Sequence, residues 1–289
     1  MDFYWPILKR IEYLFLPHNH IWNRLDNPTK EMIRKSNQFH NNSRADFSGK
    51  EIYGKERKEG GCIWDNFKLN INEDDPYMRF FNDCNKTRIS RDIDVLEIGP
   101  GGGYYTRYIL ETNNVSSYIG LEISTYFADY LNQKLSRLNS NYIINNCDSL
   151  EGLKKLKDES IDLIIINSTL HHLTDRKEIF LELDRVLRVE GKILLREPCH
   201  YIPRIIDLLG KCLFNNYLSK DEFCNFTFIS THQFCTVGEI KNYCKKISSL
   251  KLSKIDYIFG KNKLYRKLFG KYVSSELMVE ITKVNHEKV

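Results

Sequence analysis

The chain has 289 residues, of which 42% are hydrophobic and 12% aromatic, so it is long enough to bury a sizeable core. Its 43 basic and 38 acidic side chains leave a net charge of +5, which does not by itself indicate a nucleic-acid-binding surface. No apolar run is long enough to cross a bilayer. We therefore expect neither a nucleic-acid partner nor a transmembrane segment.

The eight cysteines form no CxxC pair and have no cysteine or histidine at zinc-ligand spacing. The apolar start of the chain is interrupted by Lys9, Arg10 and Glu12, without the small-residue cleavage site of a signal peptide. These features predict reduced cysteines, a cytoplasmic location and no metal site.

Residues 1–90 are rich in aromatic, asparagine and charged residues and have little strand signal, which predicts a helical lid or substrate-recognition segment. FYWPILKRIEYLFL at 3–16 has an apolar helical face opposite charged residues. Such a helix packs on its own core or lies on a membrane surface, and both interpretations stay open. Polar side chains of this segment suit a hydroxyl-rich acceptor: His40, Arg44, Asp65 and Asn66.

Residues 91–289 form the second predicted domain, in which β-branched runs alternate with amphipathic stretches. The runs predict strands at 92–99, 116–123, 141–146, 161–167 and 192–198. The stretches between them predict helices at 103–112, 124–139, 149–156 and 175–188. This alternation is typical of a parallel sheet with helices on both faces.

The last part of the chain begins with a predicted helical insertion at about 199–231, which contains the apolar segment YIPRIIDLLGKCLF. A threonine-capped helix is predicted at 236–246. Two strand candidates follow it, LKLSKIDYIFG at 250–260 and ELMVEITKV at 276–284.

The segment VLEIGPGGGYYT at 95–106 places four glycines directly after a predicted strand. Glycines at such a turn let a ligand contact the backbone near a helix N-terminus, at the carboxyl edge of the sheet. A nicotinamide dinucleotide requires GxGxxG or GxGxxA, and the sixth position here is Tyr104 or Thr106, depending on the starting glycine. The segment therefore departs from the dinucleotide pattern at its packing residue.

The pattern that does fit is acidic-x-Gly-x-Gly-x-Gly, formed by Glu97, Gly99, Gly101 and Gly103. With it, the chain resembles the class I S-adenosylmethionine-dependent methyltransferases, in the small-molecule branch that includes ubiquinone and menaquinone methyltransferases. The resemblance implies an α/β, Rossmann-like, doubly wound and mostly parallel seven-stranded sheet. It also implies S-adenosyl-L-methionine as cofactor, with this loop around its methionine and sugar end.

Further segments resemble the family in the same order along the chain. Glu122, followed by Ile123, ends the second predicted strand, where an acid binds ribose hydroxyls. Asp148, followed by Ser149, matches the acid that accepts from the adenine amino group, although it also suits a helix cap. Asn167 ends the fourth strand facing the cofactor, or alternatively satisfies a turn.

The candidate catalytic residues are His171 and His172, directly after the fourth strand, and Glu197 at the end of the fifth. Each histidine is either a general base or a structural hydrogen bonder, and Glu197 is an alternative base. The tetrapeptide NSTL follows the fourth strand in place of NPPY or DPPY, which disfavours methylation of DNA bases or protein glutamine.

The expected acceptor is a small molecule, and a hydroxyl of a polar metabolite or glycan is favoured. Carbon or oxygen methylation of a quinone or lipid is the alternative, and a non-catalytic binding or scaffold protein is a second one. The sequence gives no indication of the oligomeric state.

Overall fold

The computed structural model describes residues 27, 64–66, 79–82, 92–173, 175–198, 235–258 and 276–285. Our predictions for the helix at 3–16 and the insertion at 199–231 lie outside the described residues, as do the side chains of His40, Arg44 and Asn66.

Seven strands form one sheet in the order β3-β2-β1-β4-β5-β7-β6. Strands β1 to β5 run parallel, and β7 pairs antiparallel with both β5 and β6. This confirms the predicted mostly parallel, Rossmann-like sheet. The strands are β1 Ile93–Ile98, β2 Val115–Glu122, β3 Tyr142–Asn146, β4 Ile161–Asn167, β5 Leu187–Pro198, β6 Leu250–Ile258 and β7 Glu276–Lys283.

Helices cover both faces of the sheet, as a doubly wound fold requires. On one face lie helices that share a core with Leu96 and Ile164, and on the other lie helices that share a core with Val95 and Ile165. The first face carries α3 Ser149–Lys154, α4 Arg176–Val186 and α5 Val237–Lys246; the second carries α1 Tyr104–Thr112 and α2 Thr125–Leu135. No helix that the structure describes is long and apolar enough to cross a membrane.

The isoleucines of β4 explain why this strand is predictable from the sequence. All six residues from Ile161 to Ile166 are buried, because a central parallel strand is covered on both faces. Burial of one such aliphatic side chain stabilises the fold by about 1.5–3 kcal/mol. The strand therefore appears as an apolar run, interrupted by the buried Asp162.

Three predicted helices are shorter than expected, and the one predicted at 149–156 ends at Lys154. The helix predicted at 124–139 ends at Leu135, where Ser136 caps it and Leu138 N–H closes a turn on the Leu135 carbonyl. The helix predicted at 175–188 ends at Val186, because Leu187 joins the ladder opposite Ile161 and begins β5. Pairing of Leu187 with a neighbouring strand thus ends this helix earlier than its helical periodicity predicts.

Three cysteines lie within the described residues, and all are free thiols: Cys147, Cys235 and Cys244. Cys235 and Cys244 are buried in the core, and burial raises the pKa of the Cys244 thiol to about 11. These two side chains act as small apolar core residues.

Candidate active site

The predicted site residues meet at one edge of the sheet. They lie at or directly after the carboxyl ends of five neighbouring strands, where ligands of open α/β sheets bind. From β1 come Glu97, Gly99, Gly101 and Gly103; from β2, Glu122 and Ile123; from β3, Asp148 and Ser149; from β4, Asn167; and from β5, Glu197.

Residues 99–103, the glycine loop, require glycine at three positions. The φ angles of Gly99, Gly101 and Gly103 are 68°, 54° and 75°, in the left-handed region that L side chains rarely adopt. A Cβ on Gly99 or Gly103 would collide with the side chain of Thr169 or Leu131, respectively. A Cβ on Gly101 would meet no atom of the described residues within 4 Å, so this glycine borders open space in that part of the chain.

Alanine substitutions of Gly101 and Gly103 are expected to separate ligand binding from stability. Gly101→Ala should cost about 1–2 kcal/mol of unfolding free energy, from the left-handed backbone alone. If the cofactor lies against Gly101, the same substitution should weaken S-adenosylhomocysteine binding at least about tenfold, or about 1.4 kcal/mol. Gly103→Ala adds overpacking against buried Leu131, which costs a further 1–3 kcal/mol or so. Urea unfolding measures the stability of each variant, and calorimetric titration measures its affinity for the ligand. If the two variants lost the same affinity and the same stability, Gly101 would not be a contact of the cofactor.

Glu122 ties β2 to the glycine loop. Its Oε2 accepts from Gly101 N–H at 2.9 Å and its Oε1 from Ser124 N–H at 2.8 Å. Burial raises the pKa of this carboxyl group, and the two amides oppose the shift. Each carboxylate oxygen has a second lone pair, so the group can accept from two adjacent hydroxyls while holding the loop.

Asp148 caps α3, which confirms one of the two roles predicted for it. Its Oδ1 accepts from Leu150 N–H at 2.8 Å and from Glu151 N–H at 3.3 Å. The adenine contact stays a prediction. The cap holds the exposed Asp148 carboxylate at the site edge beside β2, since Cys147 N–H also donates to the Glu122 carbonyl at 3.1 Å.

Asn167 has a buried side-chain oxygen, Oδ1, that no donor among the described residues reaches. An unsatisfied buried acceptor costs about 1–3 kcal/mol. It lies at the end of β4, one strand from the glycine loop. Such an atom fits a ligand that donates a hydrogen bond, such as an ammonium group.

Glu97 is buried beneath the loop and bonds side chains that the sequence analysis did not link to it. Its Oε2 accepts from Thr106 Oγ1 and from Tyr118 Oη, both at 2.7 Å. Burial raises the pKa of Glu97 to about 7, although the hydrogen bonds from Tyr118 and Thr106 lower it. This carboxyl group therefore joins β1, β2 and α1.

Glu97 should make the protein less stable as the pH rises. A carboxyl group with a folded-state pKa of about 7 and an ordinary value of 4.5 binds its proton more tightly when folded. Its stabilising contribution is complete below pH 4.5 and is lost as the pH rises through 7, which amounts to about 2–3 kcal/mol between pH 5 and pH 8. Glu97→Gln, which mimics the protonated acid, should reduce this loss in urea unfolding. An identical pH dependence in both proteins would contradict the prediction.

A 3₁₀ turn at Leu170–His172, which we call the histidine turn, presents both candidate histidines. Glu197 is fully buried behind it and accepts the backbone N–H of Thr169 at 3.0 Å and of Leu170 at 2.8 Å. Its Oε2 also lies 2.7 Å from His171 Nδ1. The rings of His171 and His172 lie 4.0 Å apart between centroids. The structure thus brings His171 and Glu197 together as a pair.

A polar cluster lies at the same edge, on β5 and β7. Arg196 forms a two-point ion pair with Glu276, at 2.7 and 2.8 Å, and donates to Tyr105 Oη at 2.5 Å. Arg196 is the ladder partner of Asn167, so the cluster adjoins the orphaned oxygen. Tyr105 also packs against the core, in the first turn of α1.

The 3₁₀ turn Trp64–Asn66 contacts the glycine loop, which no sequence signal indicated. Trp64 N–H donates to the Gly102 carbonyl at 2.8 Å. Asp65 accepts from Lys134 Nζ at 2.8 Å, and this hydrogen bond lowers the pKa of Asp65. Part of the N-terminal segment therefore lies on the loop and on α2.

Comparison with known proteins identifies the domain that this edge belongs to. Residues 96–195 match the methyltransferase domain family. The chain contains a methyltransferase domain. The match to this family supports S-adenosyl-L-methionine as the cofactor of the domain.

Individual relatives of the methyltransferase domain are distant. The reducing polyketide synthase Preu2 from Preussia isomera is 28% identical over 122 residues, which are 41% of this chain and 5% of Preu2. A provisionally assigned sarcosine dimethylglycine methyltransferase from Galdieria sulphuraria has a TM-score of 0.52 at 15% identity, covering 72% of this chain and 84% of its own. A SAM-dependent methyltransferase from Aquifex aeolicus has a TM-score of 0.45 at 15% identity, covering 88% and 98%. The Galdieria structure shares the fold.

The methyltransferase site fits its cofactor at three points. Glu122 is a buried two-oxygen acceptor beside Gly101. Among the described residues, no atom fills the space at Gly101 and no donor reaches Asn167 Oδ1. The cofactor has a group that matches each feature: a surface that can lie against Gly101, ribose hydroxyls for Glu122 and an ammonium group for Asn167.

Proposed function

We propose that the methyltransferase domain methylates a hydroxyl group of a small polar molecule, with His171 as the general base. Bound S-adenosylmethionine supplies a methyl group activated on a sulfonium. Glu122 would hold its ribose, Asp148 its adenine amino group and Asn167 its ammonium group. The glycine loop, with Ile123 and Ser149 at its neighbouring strand ends, would form the rest of the crevice.

The contact between His171 and Glu197 carries this proposal. A buried carboxylate at 2.7 Å accepts the proton of Nδ1, so the neutral ring keeps Nε2 as its acceptor nitrogen. Nε2 then takes the proton that the acceptor hydroxyl must lose, and Glu197 stabilises the resulting imidazolium. Because Glu197 is fully buried, we propose that it orients His171 and does not contact the acceptor.

His172 remains outside the proposed base pair. Its ring lies against that of His171, where it limits the rotation of the neighbouring ring. The reaction otherwise depends on holding the acceptor oxygen in line with the transferred carbon. A positioned base adds a factor of about 10²–10⁴ to such a reaction.

The polar cluster supports a polar acceptor. Tyr105, Arg196 and Glu276 adjoin Asn167 at the end of β5, where the acceptor must approach the methyl group. Their hydroxyl, guanidinium and carboxylate groups suit hydroxyl-rich molecules better than a quinone or lipid tail, which favours apolar linings. The distant likeness to Preu2 favours a second candidate, a polyketide-type acceptor, for which the same base would act.

Transfer of label from methyl-labelled S-adenosylmethionine to an extract of the source cells tests the proposal. We expect the label in a small polar metabolite or glycan, on an ether oxygen. Label on carbon of a lipid-soluble product would support the second candidate instead. Label in nucleic acid or protein would refute both, and the absence of transfer despite cofactor binding would indicate a non-catalytic domain.

A further inference from the structure

Arg176, the first residue of α4, is a buried cation that contacts the histidine turn and α5. Its Nε donates to the carbonyls of Leu170 at 3.1 Å and Leu173 at 3.2 Å, and its Nη2 donates to the His171 carbonyl at 3.2 Å. Its Nη1 lies 3.1 and 3.0 Å from the two carboxylate oxygens of Glu239. The guanidinium therefore connects the histidine turn to α5.

A buried guanidinium is costly to desolvate, so its position requires compensation. The histidine turn is only three residues long and is closed by a hydrogen bond from Leu173 N–H to the Leu170 carbonyl at 3.1 Å. Arg176 adds further hydrogen bonds to the carbonyls of Leu170 and His171. The planar fork of an arginine reaches several carbonyls at once, whereas a lysine ammonium cannot reproduce that geometry. Glu239 supplies the opposite charge.

The turn is thereby held from both sides. Glu197 accepts the N–H of His171 at 3.3 Å from the β5 side, and Arg176 binds the carbonyl of the same residue from the α4 side. The backbone of His171 has both of its polar groups fixed by buried charges. A small displacement of either charge would move the imidazole relative to Glu197.

Glu239 is itself held in place on α5. Tyr243 Oη, one helical turn later, donates to its Oε1 at 2.8 Å. The cap residue Thr236 accepts the Glu239 N–H at 3.1 Å. Burial lowers the pKa of Arg176, but Glu239 and neighbouring groups raise it by more, so the guanidinium stays charged.

We propose that Arg176 and Glu239 are positioning residues for His171: they fix the histidine turn so that the imidazole keeps its hydrogen bond to Glu197. This inference rests on the proposed function, since Arg176 and Glu239 contribute to catalysis only if His171 acts on the acceptor. It extends the site to α5, where Glu239 lies 63 residues after Arg176 along the chain.

The test observes the His171 Nδ1–H proton directly by NMR of histidine-labelled full-length protein saturated with S-adenosylhomocysteine. The wild-type proton is expected to exchange slowly with solvent. In Glu239→Gln, which leaves the buried guanidinium without its charge partner, exchange should be at least about tenfold faster. Affinity for S-adenosylhomocysteine should stay within about twofold, because its proposed contacts lie on β1 to β4.

Arg185→Gln is the matched control. Arg185 also bridges two carbonyls, of Leu153 and Leu156, and two carboxylates, but it contacts no part of the histidine turn. This variant should lower stability and leave His171 exchange unchanged. Glu239→Asp keeps the charge and should retain most of the protection, whereas Arg176→Lys should lose it. These two variants also supply the comparison if Glu239→Gln does not fold.

Unchanged His171 exchange in both Glu239→Gln and Arg176→Lys would overturn the positioning role. The absence of a protected Nδ1–H in the wild type would overturn it as well, together with the proposed base. If exchange responds as expected but a His171 variant transfers methyl groups normally, the positioning role stands and the proposed function fails.

Discussion

Replacing His171 with glutamine is expected to slow methyl transfer by about 10²–10⁴-fold, the contribution of a positioned general base. Affinity for S-adenosylhomocysteine should stay within about twofold, since His171 makes none of the proposed cofactor contacts. The rate is measured as label transfer from methyl-labelled S-adenosylmethionine to the acceptor found in cell extract. The matched control is Glu178→Gln, an exposed site on α4.

His172→Gln discriminates between the two candidate histidines. A large loss of rate in His172→Gln, with near-normal transfer in His171→Gln, would contradict the assignment based on the contact with Glu197. Equal, small losses in both variants would indicate that positioning alone drives the reaction and that the acceptor needs no base.

Replacing Glu122 with alanine is expected to weaken S-adenosylhomocysteine binding by about 100-fold or more, because hydrogen bonds to a charged group contribute about 1.5–3 kcal/mol each. The substitution also releases the amide of Gly101, which Glu122 holds at 2.9 Å. Calorimetric titration measures the affinity, and Glu178→Ala, at an exposed site on α4, is the control.

A cofactor analogue separates the two consequences of Glu122→Ala. The wild type should prefer S-adenosylhomocysteine over its 2′-deoxy analogue, and the variant should lose that preference if Glu122 contacts the ribose. Should the variant bind both ligands as the wild type does, the ribose contact has been placed on the wrong residue. A uniform loss for both ligands would indicate that Glu122 acts only through the loop.

The strands and the glycine loop were predictable because their signals are local. The buried run of β4 and the glycines at 99, 101 and 103 each reflect a constraint within a few residues. Helix ends were less accurate because strand pairing overrides periodicity, as at Leu187. The 236–246 helix was recognised from its threonine cap, which the structure confirms as α5 capped by Thr236.

The polar partners of the site were not predictable in the same way. Arg176 and Glu239 lie 63 residues apart, and neither has a local signal for the other. Glu97 was identified as part of the loop pattern, but its bonds to Thr106 and Tyr118 depend on how α1 and β2 pack. Such contacts follow from the tertiary arrangement, which no sequence period encodes.

A crystal structure with S-adenosylhomocysteine tests the central claim most directly, namely that the cofactor lies between the glycine loop and the ends of β2 and β3. We predict ribose hydroxyls within hydrogen-bonding distance of Glu122 and an adenine amino group facing Asp148. Ligand bound elsewhere, or in this crevice with both carboxylates turned away from it, would contradict the account.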